Sequence, residues 1–329
     1  MKKLALLMSF LGLLSFSAPC RADDEEIPFG AGPTTNAFPE DAVLRFAIGR
    51  PPFIPASEPP PSPATATNFL AIADDGAPAG VPPDTQGAVG PSNVVTMLNS
   101  LVRIQDRQGG TNLTTTLSNW WGFSATKPFD PRIVYDPYAG RWIATAAGNQ
   151  KLSDASLLVA VSQTSDPTGT WYQRKLDADT NHTRWGDFPM VGFNKNWIVV
   201  TANMYLTGSS AESDFHFVRL WVFNKTNFYA GGTNAPTILR AETNAPKAFA
   251  LAPSLVYDDT VTNMHLLTTW NTNALRVYAL TGQIGGEQLV ANDEFPGSCN
   301  EYGLGAERWQ RQFSVSGHNK RLIYEGICG

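Results

Sequence analysis

A long-range repeat of hairpin-like segments limits the folds open to this chain more than any other feature. Each copy joins an acidic or small residue and a proline to an apolar run, a polar turn and an aromatic-rich run. Copies lie at residues 130–147, 187–205 and 252–270, with a looser first copy at 82–100. The prolines that the copies share are Pro131, Pro189 and Pro253. Their regular spacing indicates an architecture built from repeated supersecondary units.

Each copy is followed by a third apolar run. These runs start at Leu101, Leu157, Arg219 and Leu275 and therefore keep step with the hairpin-like segments. A Gly-containing turn and a candidate fourth strand follow each run. Because one four-stranded sheet cannot bury both faces alone, the pattern predicts an all-β fold, a β-propeller of four-stranded antiparallel blades. An antiparallel sandwich is the alternative, although it predicts no long-range period.

The length of the repeating region bears on the number of blades. Residues 81–329 hold about four repeats and a remainder. The remainder predicts one more hairpin, from Gln312 to Val315 and from Arg321 to Gly326. We expect about five blades, with the ring closed by a strand from the N-terminal segment to hide the sheet edges, or a truncated six- or seven-bladed ring.

The start of the chain, residues 1–22, has the pattern of a secretory signal peptide. Lys2 and Lys3 precede an apolar run from Leu4 to Phe16, which is too short to span a bilayer. We place cleavage before Asp23, with a lipoprotein anchor at Cys20 as the alternative. The chain is thus predicted to be secreted, periplasmic or on the cell surface, with no membrane insertion. It would comprise a signal peptide (1–22), a Pro-rich segment or linker (23–80) and a propeller domain (81–329).

Charge and cysteine content limit the partners. Without the signal peptide the chain has 21 basic and 29 acidic residues, a net charge of −8. This balance argues against nucleic acid or an anionic membrane as a partner. Cys299 and Cys328 remain, and in an oxidising compartment we expect a disulfide between them; two buried thiols are the alternative. Spacings typical of Cys and His metal sites are absent.

The segment TSDPTGTWY at 164–172 is the most specific local motif. We expect Asp166 to accept backbone N–H groups in a tight turn, Gly169 to adopt a strained conformation and Trp171 to pack between blades. The segment resembles the Asp-box of sialidase-like propellers, with Gly169 one position late. Segments 82–95, 129–143, 159–172 and 187–193 resemble, in order and spacing, secreted bacterial proteins with a sialidase-like (BNR/Asp-box type) β-propeller. The resemblance implies a secreted propeller, in a family where most members have no established reaction.

Sialidase chemistry needs three arginines for the substrate carboxylate, a Tyr nucleophile with a Glu partner, and an Asp acid/base. The chain has Arg132, Arg184, Arg308 and Arg311, but none lies in the F/Y-R-I-P signature of sialidases. For Arg132 we favour an ion pair with Asp130 or Asp136. We assign no catalytic residue, and a sialidase-like glycoside hydrolase stays an alternative.

Three carboxylates hold similar places in their repeats: Asp84, Asp130 and Asp187. The innermost strands of a propeller start at one mouth of its central channel, so these side chains and Arg132 form a candidate ligand site. They could bind sugar hydroxyls or a hard cation such as Ca²⁺. Repeated capping of the turns is the alternative, which we favour on sequence grounds alone.

Aromatic residues offer a second kind of binding candidate. Most tryptophans recur at strand positions, which indicates packing between blades. Trp120, Trp121 and Trp185 lie instead in predicted loops and are candidates for stacking on sugars. We therefore expect an extracellular binding or interaction module for glycan or protein. A glycoside hydrolase and a structural cell-surface scaffold are the alternatives.

Overall fold

The computed structural model describes residues 67–72, 82–209, 214–241, 248–271, 274–296, 314–315 and 322–323. The chain divides into two compact units, Met1–Ser62 and Pro63–Gly329, and the described residues belong to the second. The predicted signal peptide and the predicted pair Cys299 and Cys328 lie outside the described residues.

Four antiparallel units of four strands make up most of the described chain; three are separate four-stranded sheets, and the other is part of a seven-stranded sheet. Blade 1 consists of β1 (Gln86–Val89), β2 (Asn93–Met97), β3 (Leu101–Asp106) and β4 (Thr111–Thr116). Blade 2 consists of β5 (Pro128–Asp136), β6 (Arg141–Gly148), β7 (Ser156–Ser162) and β8 (Trp171–Asp177). Blade 3 consists of β9 (Arg184–Phe193), β10 (Trp197–Leu206), β11 (Phe215–Asn224) and β12 (Thr237–Arg240). Blade 4 consists of β13 (Phe249–Pro253), β15 (Met264–Asn271), β16 (Ala274–Thr281) and β17 (Gln288–Pro296), with β14 (Leu255–Val256) between its first two strands in the chain.

The first strands of successive blades lie side by side. Strand β1 contacts β5, β5 contacts β9, and β9 contacts β13. Sheets that meet through their first strands around a common centre form a β-propeller. The predicted fold is therefore confirmed: a β-propeller of four-stranded antiparallel blades, consistent with about five blades, of which four are complete in the described residues.

The middle strands explain the low charge content of the chain, of which 16% is Asp, Glu, Lys or Arg. All seven residues of β7 are buried, and β10 is buried up to its last residue. Neighbouring blades cover both faces of these strands, so few positions remain for charge. The outermost strands β4 and β12 instead alternate between exposed and partly buried residues. The third strand of blade 1, β3, coincides with the apolar run 101–106 that the sequence predicted as a strand.

Two five-residue helices connect strands. Helix α1 (Leu117–Trp121) starts after Thr116, whose hydroxyl accepts the backbone N–H of Asn119 at 3.1 Å. It ends at Gly122, which has a positive φ of 66°. Helix α2 (Lys225–Tyr229) starts after Asn224, whose side chain accepts the N–H of Asn227 at 3.1 Å. Within the described ranges, no helix has the length and apolar character needed to cross a membrane.

The predicted C-terminal hairpin is present as β18 (Ser314–Val315) and β19 (Leu322–Ile323). It extends the sheet of blade 3, because β18 pairs with β14 and β14 pairs with β9, both in parallel. The segment 67–72 forms no strand in the structure. Its carbonyl groups at Leu70 and Ala71 accept hydrogen bonds from Gln105 and Arg103 of blade 1.

Candidate functional site

Each innermost strand carries a residue with positive φ near its start. The φ angles are 47° at Asp84, 50° at Asp130, 51° at Phe188 and 50° at Ala250. The strand register shifts at the last three of these places, which marks a β-bulge in blades 2, 3 and 4. Non-glycine residues in this region store strain of about 1 kcal/mol or more, and such strain often accompanies functional sites.

The positions of the bulges change the alignment of the repeats that was predicted from the shared prolines. Pro131 and Pro189 each follow the bulge residue directly, whereas Leu251 holds that place in blade 4. Pro253 is therefore not equivalent to the other two prolines. Asp187 likewise precedes the positive-φ residue of its strand by one position, while Asp84 and Asp130 have the positive φ themselves. The three carboxylates thus reach one place from two different backbone positions.

We call this end of the innermost strands the carboxyl rim, defined by Asp84, Asp130 and Asp187. The carboxyl of Asp130 lies within hydrogen-bonding reach of both others. Asn99 joins blades 1 and 2, because its side chain donates to Asp84 at 2.6 Å and accepts the backbone N–H of Asp130 at 2.7 Å. Asp130 in turn accepts the backbone N–H of Phe188 in blade 3 at 3.1 Å. Three blades therefore meet through one polar network.

Two of these carboxyls hold protons more strongly than usual. Burial raises the pKa of Asp130 from 3.8 to about 7, and the charges of Asp187 and Asp84 add to the effect. Burial also raises the pKa of Asp187 to about 6, although the N–H of Phe188 and the charge of Lys151 oppose the change. At pH 7 Asp130 is therefore protonated in part of the molecules and can donate there, while Asp187 is mostly ionised and accepts.

Arg132 lies beside the carboxyl rim and is only 7% exposed. Its Nε donates to the carbonyl oxygen of Pro189 at 2.9 Å, and its guanidinium carbon lies 4.7 Å from the centre of the Phe188 ring. Burial lowers its pKa to about 10, although the charges of Asp130 and Asp84 oppose the change. In the described part of the chain its Nη groups form no hydrogen bond and no close ion pair.

The predicted pairing of Arg132 with Asp136 is wrong. Asp136 lies at the other end of β5, where it forms an ion pair with Lys225 at 2.5 Å and accepts the hydroxyl of Tyr229 at 2.9 Å. Sequence reasoning also missed Asn99, Phe188 and Lys151 at the carboxyl rim. In the sequence, Asn99 is marked only by its position directly after an apolar strand. This pattern is too common to identify a functional residue.

The proposed role of Trp185 as a sugar-stacking residue is also wrong. Trp185 belongs to β9, is fully buried, and donates its indole N–H to the carbonyl oxygen of Ser209 at 2.6 Å. Its ring stacks on Tyr205 at 5.5 Å. Trp121 is buried as well, and Trp120 packs edge-on against both Trp121 and Trp171 at 4.9 Å. Trp121 and Trp185 therefore belong to the core and are not available to a ligand, whereas Trp120 is half-buried against its neighbours.

The turn between β7 and β8 has part of the expected Asp-box geometry. Asp166 accepts the backbone N–H of Thr168 at 2.9 Å, as predicted. Trp171 packs against Trp120 of α1, which follows blade 1, so it does lie between blades. Gly169, however, is not among the glycines with positive φ, and the strain expected there is not found. The turn is structural and lies apart from the carboxyl rim.

Metal binding was one alternative for the three carboxylates. In the ranges that the structure describes, no group of three or more His, Cys, Asp or Glu side chains has the arrangement of a metal site. The contacts that the rim does show are hydrogen bonds with the side-chain amide of Asn99 and with backbone N–H groups.

Comparison with known proteins gives distant structural similarity only. No protein-family model and no curated protein matches the chain. The GH43 endo-arabinanase from Bacillus licheniformis is 13% identical, with a TM-score of 0.34, over 65% of this chain and 82% of that one. The GH43_1 enzyme from Xanthomonas citri complexed with xylose is 9% identical, with a TM-score of 0.38, over 70% and 77%. A subtype N11 neuraminidase-like protein of a flat-faced bat isolate is 12% identical, with a TM-score of 0.36, over 64% and 59%. Similarities this low assign no activity to the chain.

Proposed function

We propose that the protein is a carbohydrate-binding β-propeller whose ligand site is the carboxyl rim. The observation that supports this is the meeting of Asp84, Asp130 and Asp187, from three blades, beside the buried guanidinium of Arg132. Grouping like charges in a half-buried place destabilises the folded state, so a purely structural role is a poor explanation. The predicted export of the chain agrees with an extracellular glycan as ligand.

The protonation state of the rim favours a hydroxyl-rich ligand. A sugar hydroxyl donates one hydrogen bond and accepts others, so it is best met by a mixture of donors and acceptors. The protonated form of Asp130 and the Nη groups of Arg132 supply donors, and the ionised form of Asp187 supplies an acceptor. The half-buried ring of Phe188 adds an apolar surface at the same place.

A glycan-array screen followed by titration calorimetry tests the proposal. We expect Asp187→Asn to weaken binding of the selected glycan by about tenfold or more, the usual cost of losing a hydrogen bond to a charged group. Asp177→Asn, at an exposed position at the end of β8, removes the same charge away from the rim and should leave the affinity unchanged. The proposal is wrong if no glycan binds, or if the two variants bind alike.

Glycoside hydrolysis is the second candidate, and a specific observation favours it. Hydrolysis of a glycosidic bond needs a carboxylic acid that stays protonated near neutral pH beside a second, ionised carboxylate. Asp130, with a pKa of about 7, fits the first role. The test measures whether the protein releases reducing ends from a glycan that it binds. If it does, and if Asp130→Asn loses this release but still binds the glycan, the protein is a glycoside hydrolase. If the glycan is bound and no reducing ends are released, the protein is a binding module.

A further inference from the structure

Blade 3 carries a second cluster of charged side chains, apart from the carboxyl rim. Three guanidinium groups surround the ring of Phe217, which is only 3% exposed. Their central carbons lie 4.6 Å from the ring centre for Arg240, 5.6 Å for Arg219 and 5.7 Å for Arg184. Contact with one aromatic face fixes the planes of the three groups and weakens their hydration. We call these residues the guanidinium patch.

The patch carries more positive charge than the described residues neutralise. Asp179 forms ion pairs with Arg219 at 3.0 Å and with Arg184 at 3.9 Å. Burial lowers the pKa of Arg219; the hydrogen bond and the charge of Asp179 oppose this change, while the charges of Arg240 and Arg184 lower the pKa further. One carboxylate therefore faces three cations.

Arg240 is the exposed member of the patch. It ends β12 directly opposite Arg219 of β11, and like charges in such a pair destabilise a sheet. Within the described ranges, Arg240 forms no hydrogen bond and no ion pair. Arg184 is also accessible, with 25% of its side chain exposed, and its Nε is buried without a partner among the described residues. Arg219 and Asp179, both buried, form a structural pair, and Arg184 and Arg240 add two cationic groups at accessible positions.

We propose that Arg184 and Arg240 bind an oxyanion group, a carboxylate or a sulfate ester, of an acidic polysaccharide. The polysaccharide assignment rests on the proposed function. Arg184 and Asp187 both belong to β9, but their odd spacing places them on opposite faces of the strand, so the guanidinium patch is a contact separate from the carboxyl rim. Arginine suits such a ligand because its planar guanidinium donates two parallel hydrogen bonds to a carboxylate or sulfate. Lys151, in the turn between β6 and β7, adds positive charge near Asp187.

Binding of charged and neutral polymers with the same backbone tests the inference. We would measure affinity of the full chain for dextran sulfate, dextran and polygalacturonate at low ionic strength. Dextran sulfate or polygalacturonate should bind, and Arg240→Gln should weaken that binding by about tenfold. Arg107→Gln is the matched control, because this exposed arginine of blade 1 gives the same change in net charge and donates only to the carbonyl of Gly90. It should change the affinity less than about twofold.

Four results would overturn the inference. Equal weakening by Arg240→Gln and Arg107→Gln would mean non-specific attraction to net charge, and failure of both acidic polymers to bind would exclude the ligand class. Equal binding of dextran and dextran sulfate would exclude a role for the charge. Binding of polyglutamate with the same dependence on Arg240 would indicate an acidic protein partner. The carboxyl rim is tested separately, because Asp187→Asn with a neutral glycan reports on it alone.

Discussion

Replacing Asp130 with asparagine should stabilise the protein, and the gain should grow as the pH rises from 4 to 7. In the folded state burial and the neighbouring carboxylates raise the pKa of Asp130 to about 7, against 3.8 for the ordinary group. A carboxyl with a raised folded pKa favours folding only while it is protonated. Its contribution is complete below pH 3.8 and is lost as the pH rises towards 7.

The size of the effect follows from this pKa difference of about 3 units. At 1.36 kcal/mol per unit, the ionisation of Asp130 costs the folded state at most about 4 kcal/mol above pH 7. Asp130 shares this cost with Asp187 and Asp84, whose charges contribute to its shift. We therefore expect Asp130→Asn to raise the free energy of unfolding by about 2 to 4 kcal/mol at pH 8, and by about 1 kcal/mol at pH 5.

Urea unfolding at one-unit steps from pH 4 to pH 8 measures the gain directly, provided that the m value stays constant between variants. Asp177→Asn is the control for removing one negative charge, because Asp177 is exposed at the end of β8. A gain for Asp130→Asn that does not change with pH, or a loss of stability at pH 8, would show that the carboxyl is not held protonated by its surroundings.

Three further substitutions test other parts of the structure by the same unfolding measurement. Lys225→Met should cost about 3 to 5 kcal/mol, because it leaves the fully buried Asp136 without its cation; a cost below about 1 kcal/mol would contradict this pairing. Gly192→Ala should lower the stability by about 2 to 3 kcal/mol, since the added methyl group would overlap the carbonyl oxygen of Ser254, and unchanged stability would contradict that close approach. Trp185→Ala should lower the free energy of unfolding by about 3 to 5 kcal/mol, because the fully buried side chain is lost from the core. An unchanged free energy of unfolding would contradict this burial.

The strand framework could be read from the sequence because it depends on local pattern. The third strands were located by apolar runs, and β3 matches its predicted run at both ends. The turn at Asp166 was equally local, since its hydrogen bond to Thr168 spans two residues. Gly169 shows the limit of such reasoning, because a glycine can take positive φ but does not have to.

The candidate site was predicted in part. Asp84, Asp130 and Asp187 were selected from their places in the repeat, and the structure brings them together. Their use as a ligand site stays a proposal. The pattern could not show that Asn99 links two of the blades, because that contact joins residues 31 positions apart.

By itself, the sequence determined the alternation of apolar and polar runs, their period, and hence a propeller of four-stranded blades. Only the tertiary structure decided which side chains meet at the carboxyl rim and which face the core. A bulge adds one residue to a strand, and with a side-chain period of two this reverses the direction of every side chain beyond it. Such bulges occur in three of the innermost strands, and the local sequence pattern does not show where they lie.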